Sequence, residues 1–114
     1  MARGQLPVAS LHVLLALLDG EKHGYAVMRD VEELSEGAVR MGPGTLYGTI
    51  KRLLADGLIE EVTETTRRDG DDERRRYYRL TAGGERVAAT EVARLRALVT
   101  RVRRLRPDFG HGLA

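Results

Sequence analysis

Apolar positions along the 114-residue chain form four stretches of helical period and one of strict alternation. Residues 8–18 (VASLHVLLALL) are apolar nearly all round, which predicts a helix buried on several sides and ended by Gly20. Residues 24–35 set Val27, Val31 and Leu34 on one stripe, with Arg29, Asp30, Glu32 and Glu33 elsewhere and Gly37 as the C′ stop. A third helix is expected over 43–56, opening at Pro43 and closing at Gly57. At about 100° per residue its Leu46, Ile50, Leu53 and Leu54 fall within an arc of roughly 100°. From Leu58 the period drops to two, so LIEEVTETT and RRRYYRL read as paired strands around a turn centred on Asp69-Gly70. Thr81 can cap a last helix over 82–105. In it Ala88, Val92, Leu95, Val99 and Val102 step by 4, 3, 4, 3, and Leu98 and Leu105 widen the stripe. Pro107 breaks that helix, and 107–114 is patternless and expected to be loose.

Helix, helix, helix and then a hairpin is the order of a winged helix-turn-helix. The expected fold is mainly α with a small β-hairpin: a winged domain over 1–80 and one long C-terminal dimerisation helix over 81–106. In such a fold the second helix of the motif enters the major groove with its N-terminal residues toward the bases. That assigns residues 43–56 to duplex DNA and accounts for an otherwise unfavourable composition. Each interior glycine costs roughly 1 kcal/mol relative to alanine. On the face opposite the core arc, Gly44 and Gly48 remove side chains where a backbone or a base edge must come close. Thr45 and Tyr47 offer hydroxyls to phosphate, and Lys51 and Arg52 supply charge. Behind them Arg67, Arg68 and Arg75 flank the hairpin tip as wing contacts, whereas Asp69, Asp71, Asp72 and Glu73 in the tip itself repel phosphate.

Charge and composition narrow the alternatives. The net charge is only +2, but residues 1–57 carry 6 basic and 7 acidic side chains and residues 58–114 carry 13 and 10. There is no cysteine, which excludes disulfides, thiolate metal sites and thiol nucleophiles. The spacing of His12, His23 and His111 resembles no ligand set, so no metal is expected. His23 reads as a residue that caps or orients the second helix. No nucleophile elbow, phosphate-binding glycine loop or paired acid–base carboxylates occur, so neither catalysis nor a cofactor is expected. An eleven-residue apolar run is too short to span a bilayer and no small-residue cleavage site follows it, which points to a cytoplasmic protein without membrane contact.

Four strings in order carry a family resemblance. His23-Gly24-Tyr25 opens the second helix, and Pro43-Gly44-Thr45-Leu46-Tyr47 opens the third. Arg52-Leu53 and Gly57-Leu58-Ile59 close it, and Arg76-Tyr77-Tyr78-Arg79-Leu80-Thr81 leads into the fourth. Across about residues 8–105 the chain resembles the PadR family of transcriptional regulators, in its short-tailed branch. The resemblance implies a homodimeric repressor on an inverted-repeat operator, released by a small molecule or another signal, with Tyr25, Thr45, Tyr47 and Lys51 near DNA. Short-tailed members that bind flat aromatic drugs at the dimer interface use a tryptophan of the last helix. This chain has no Trp, and Phe109 lies beyond the helix. The dimer surface is expected from Leu11 and Leu15 of the first helix and Ala88, Val92, Leu95, Leu98, Val99, Val102 and Leu105 of the last, with an effector pocket between the two helices. The alternative is a winged-helix module that binds protein or RNA without operator specificity.

Overall fold

Val13 and Leu14 of the first helix are fully buried, and the rest of the core is assembled around them. The computed structural model describes residues 6–62 and 76–110. Its elements are α1 (Val8–Ala16), β1 (Lys22–His23), α2 (Gly24–Leu34), α3 (Pro43–Ala55), β2 (Ile59–Val62), β3 (Tyr77–Leu80) and α4 (Ala82–Leu105). Val27 and Val31 of α2 and Leu46, Ile50 and Leu53 of α3 close on α1, with Ile59, Tyr78 and Ala88 completing the cluster. These are positions that helical and alternating spacing put on one face, but Leu34, expected on the same stripe as Val27 and Val31, is exposed at the end of α2.

Two elements differ from the sequence expectation. The first helix stops at Ala16, because Leu17 and Leu18 already bond back to the carbonyls of Leu14 and Leu15 in tighter i→i+3 turns. The sheet has three strands rather than two, in the order β1-β3-β2, all antiparallel. Lys22 and His23 pair with Tyr78 and Tyr77, while Ile59 faces Leu80 and Val62 faces Tyr77. The predicted hairpin tip, with Arg67, Arg68 and Arg75, lies outside the described residues.

Helix ends follow their caps. Leu58 N–H reaches the Leu53 carbonyl at 3.0 Å and Gly57 N–H reaches Leu54 at 3.1 Å, with Gly57 at φ +75°, a Schellman stop for α3. The same motif ends α2, but there the left-handed C′ position is held by Glu36 at φ +53° and not by glycine. The expected stop, Gly37, sits one residue further on. The hydroxyl of Thr81 accepts from Gly84 N–H at 3.0 Å and donates to the Gly57 carbonyl at 2.7 Å, so one side chain caps α4 and ties it to the end of α3. Beyond α4, residues 107–110 form a turn where a loose tail is expected, closed by the Phe109 N–H bond to Arg106 at 2.9 Å and the Arg106–Asp108 ion pair.

Candidate nucleic-acid interface

Leu46, Ile50 and Leu53 turn inward, and this leaves Gly44, Thr45, Tyr47, Gly48, Lys51 and Arg52 of α3 exposed together on its outer side. A Cβ added at Gly44 or Gly48 would meet nothing within 4 Å, and neither residue has a positive φ. Among the described residues, packing and backbone conformation therefore give no reason for either glycine. Lys51 and Arg52 make no ion pair among the described residues. Gly42 and Pro43 at the head of α3 are exposed too, so the free N–H groups of the first turn open outward.

Tyr47 has a second role that its sequence position does not reveal. It is 48% exposed, yet its ring lies on the α-carbon of Gly24, where a Cβ would stand 2.8 Å from Cζ. Next to it Tyr78 is buried, and burial, the Glu61 carboxylate and the Tyr47 phenol push its hydroxyl above the ordinary phenol range. His23 caps α2 through Nδ1, which accepts from Ala26 N–H at 3.3 Å, and its ring stands edge-on to Tyr77 at 5.5 Å. The glycine of the His23-Gly24-Tyr25 string thus admits the tyrosine of α3, and the histidine anchors the helix to the sheet.

Tyr25, 62% exposed, stands beside this contact at the start of α2. It lines a groove of about 420 Å³ with Met28, Arg29, Arg40 and Met41. Arg29 and Arg40 escaped the sequence reading. Their signal was weak, since one is a lone charge on a polar helix face and the other belongs to the turn before Gly42-Pro43. Arg40 leans on Glu32 at 3.5 Å, and Arg29 has no ion pair among the described residues.

The expected dimer surface divides in two. Leu11 and Ala88 are only 7% and 2% exposed and belong to the chain's own core, because the start of the α4 stripe meets α1 of the same chain. Those two residues are therefore not open to a partner. Leu15 is half-buried, and from Val92 onward every residue of α4 except the half-buried Val102 is exposed, with Leu98 at 52% and Leu105 at 75%. Glu91 lies buried on this stripe, gripped by Arg94 at 2.6 Å, which holds its carboxyl below the usual range. Among the described residues no group of three or more His, Asp or Glu side chains could hold a metal, and no helix is long and apolar enough to cross a membrane.

Comparison with known proteins decides the family. The model of the transcriptional regulator PadR-like family matches residues 13–90. The chain belongs to the PadR-like family. These are transcriptional regulators and not enzymes. A transcriptional regulator of Mycobacterium tuberculosis is 43% identical over 91 residues, 80% of this chain and 78% of that protein. A protein encoded in a Streptomyces fradiae transposon is 36% identical over 94 residues, but there this chain spans only 25% of the relative. Among solved structures, a transcriptional regulator from Clostridium thermocellum has a TM-score of 0.67 at 21% identity, covering 84% of this chain and 87% of that one. Bacillus subtilis PadR in complex with operator DNA has a TM-score of 0.64 at 22% identity, over 75% and 47%. In this PadR-like chain α2 and α3 are the helix-turn-helix pair, β2 and β3 the base of the wing, and α4 the long C-terminal helix.

Proposed function

We propose that this regulator binds duplex DNA as a homodimer, with α3 in the major groove and α4 joining the two copies. One observation carries the reading: Gly44 and Gly48 keep the exposed face of α3 bare although nothing among the described residues requires it. A bare helix face lets a groove wall come close, and Thr45, Lys51 and Arg52 around it match phosphate and base edges. Tyr25 with Arg29 and Arg40 extends the surface along α2, the helix that crosses the DNA backbone in such motifs. Arg67, Arg68 and Arg75 are assigned to the wing. Dimerisation through Val92, Leu95, Leu98, Val99, Val102, Leu105 and Leu15 covers an apolar stripe that the chain leaves open, and pairs two reading helices for half-sites about 34 Å apart. The regulator acts in the cytoplasm as a repressor, released when a small molecule or another signal reaches the interface. The operator complex of the B. subtilis relative supports the same use of the fold.

The test is selection and sequencing of sheared genomic DNA bound by the purified protein, with Gly48→Glu as control. That substitution enters open space, so it leaves the fold intact while blocking and repelling DNA. Recovery of an inverted repeat by the wild type alone is the expected result. Recovery of no motif by either protein would overturn the reading in favour of a protein- or RNA-binding module.

A further inference from the structure

We propose that the groove between the outer face of α2 and the turn before α3 is a binding site for a nucleoside phosphate, which excludes DNA when it is filled. The exclusion of DNA rests on the reading above; the site itself does not.

Tyr25, Met28, Arg29 and Glu32 follow one another at i, i+3, i+4 and i+7, so they share one face of α2. Arg40, Met41 and Gly42, on the way into α3, line the rest of the groove of about 420 Å³. A Cβ at Gly42 would meet nothing within 4 Å, and its φ of −76° suits any residue. Among the described residues, packing gives no reason for this wall to be bare.

A passing DNA backbone accounts for the two arginines but not for the two thioethers. Met41 belongs to the core and Met28 packs against it, so both bring apolar, polarizable surface to the groove. With Tyr25, 62% exposed, they suit a flat ring, through stacking and sulfur–aromatic contacts. Arg29 makes no ion pair among the described residues. Arg40 meets Glu32 only at 3.5 Å, with both side chains more than half exposed, a pairing that water keeps weak. Two guanidiniums match a doubly charged phosphate, which each can bind with two parallel hydrogen bonds. Once Arg40 turns to the phosphate, the Glu32 carboxylate is left to accept from ribose hydroxyls. Ring, ribose and phosphate together make a nucleotide. Because the groove ends at Gly42, the N-cap of α3, Tyr25, Arg29 and Arg40 can serve a nucleotide or a DNA backbone but not both.

Isothermal titration calorimetry on the full chain without DNA tests the site, with adenosine monophosphate and guanosine monophosphate as probes. Inorganic phosphate and adenosine serve as their fragments. A nucleotide is expected to bind at least about tenfold more tightly than either fragment, and Tyr25→Ala, Arg29→Ala and Arg40→Ala each to weaken it roughly tenfold. Arg104→Ala, exposed on α4, should bind as the wild type does, and circular dichroism checks each fold. No binding of either nucleotide at millimolar concentration, or equal binding by the two groove arginine variants, would overturn the site and leave the DNA reading standing. Saturating nucleotide at constant ionic strength should also weaken binding of the selected DNA at least about tenfold, and an unchanged affinity would overturn the exclusion. Failure of the DNA selection would remove the DNA reading without touching the calorimetric result.

Discussion

The ring of Tyr47 on α3 rests against the α-carbon of Gly24 on α2, with Cζ and Cε1 placed 2.8 and 2.9 Å from where a Cβ would stand. The contact fixes a residue of the exposed α3 face by means of a residue in another helix. Gly24→Ala is therefore expected to push the ring aside and cost about 1–2 kcal/mol, as overpacking does. In a Tyr47→Ala background the same change should cost almost nothing. Thermal unfolding of the four proteins of this double-mutant cycle measures the coupling, and additive losses would refute it.

Gly48→Ala should separate stability from binding. The added methyl meets nothing within 4 Å, so the helix gains up to about 1 kcal/mol of propensity. DNA affinity should fall, and Gly48→Leu should abolish it without lowering the melting temperature. A variant that is more stable and binds equally well would show that the bare face has no function.

Lys51→Ala should leave the fold unchanged and lower the slope of log affinity against log salt by about 0.9, the value for one phosphate contact. Titration of an operator fragment at several salt concentrations gives the slope. An unchanged slope would remove Lys51 from the interface.

The large-scale plan of the molecule was legible because it depends on period. The arc of Leu46, Ile50, Leu53 and Leu54 and the alternation around Tyr78 are written in spacing alone, and these side chains are buried except for the half-buried Leu54 at the edge of the arc. Strand β1 was not legible: two residues have no period, and Lys22 and His23 become a strand only because Tyr77 and Tyr78 are there to pair with. Leu11 and Ala88 showed the converse limit. A stripe says that a face must be covered but not by which chain, and the start of the α4 stripe is covered by α1 of its own. Gly24 could be read as a helix opener, but its contact with Tyr47 joins residues far apart in sequence and belongs to the packing.

The acid limb of stability should involve Asp19. A hydrogen bond from Lys22 and the Lys22 charge hold its carboxyl below the ordinary 3.8. A carboxylate depressed in the folded state stabilises above its unfolded value, and that contribution is lost as pH falls through the lower folded one. Arg94 and Arg106 act in the same direction on Glu91 and Asp108. Unfolding free energy should therefore decline below about pH 4, and Lys22→Met should make the decline shallower. An identical acid limb in that variant would exclude the Lys22 contribution.

Glu36→Gly should stabilise the protein by about 1 kcal/mol, because the left-handed backbone at φ +53° strains every residue with a Cβ. Denaturant titration measures it. Gly84→Ala should do the reverse by about 2–3 kcal/mol, since its Cβ would drive into the backbone carbonyl of Leu58, while Gly83→Ala, with ordinary contacts of 3.7–3.9 Å, should be tolerated.

That close approach of Gly84 to Leu58, together with the Thr81 bonds to Gly57 and Leu58, leaves no slack between the end of α3 and the start of α4. The two helices share a welded joint, and the far end of α4 lies about 36 Å away along its axis. A force on that distant end is therefore borne at the carbonyls of Gly57 and Leu58, one helix length away.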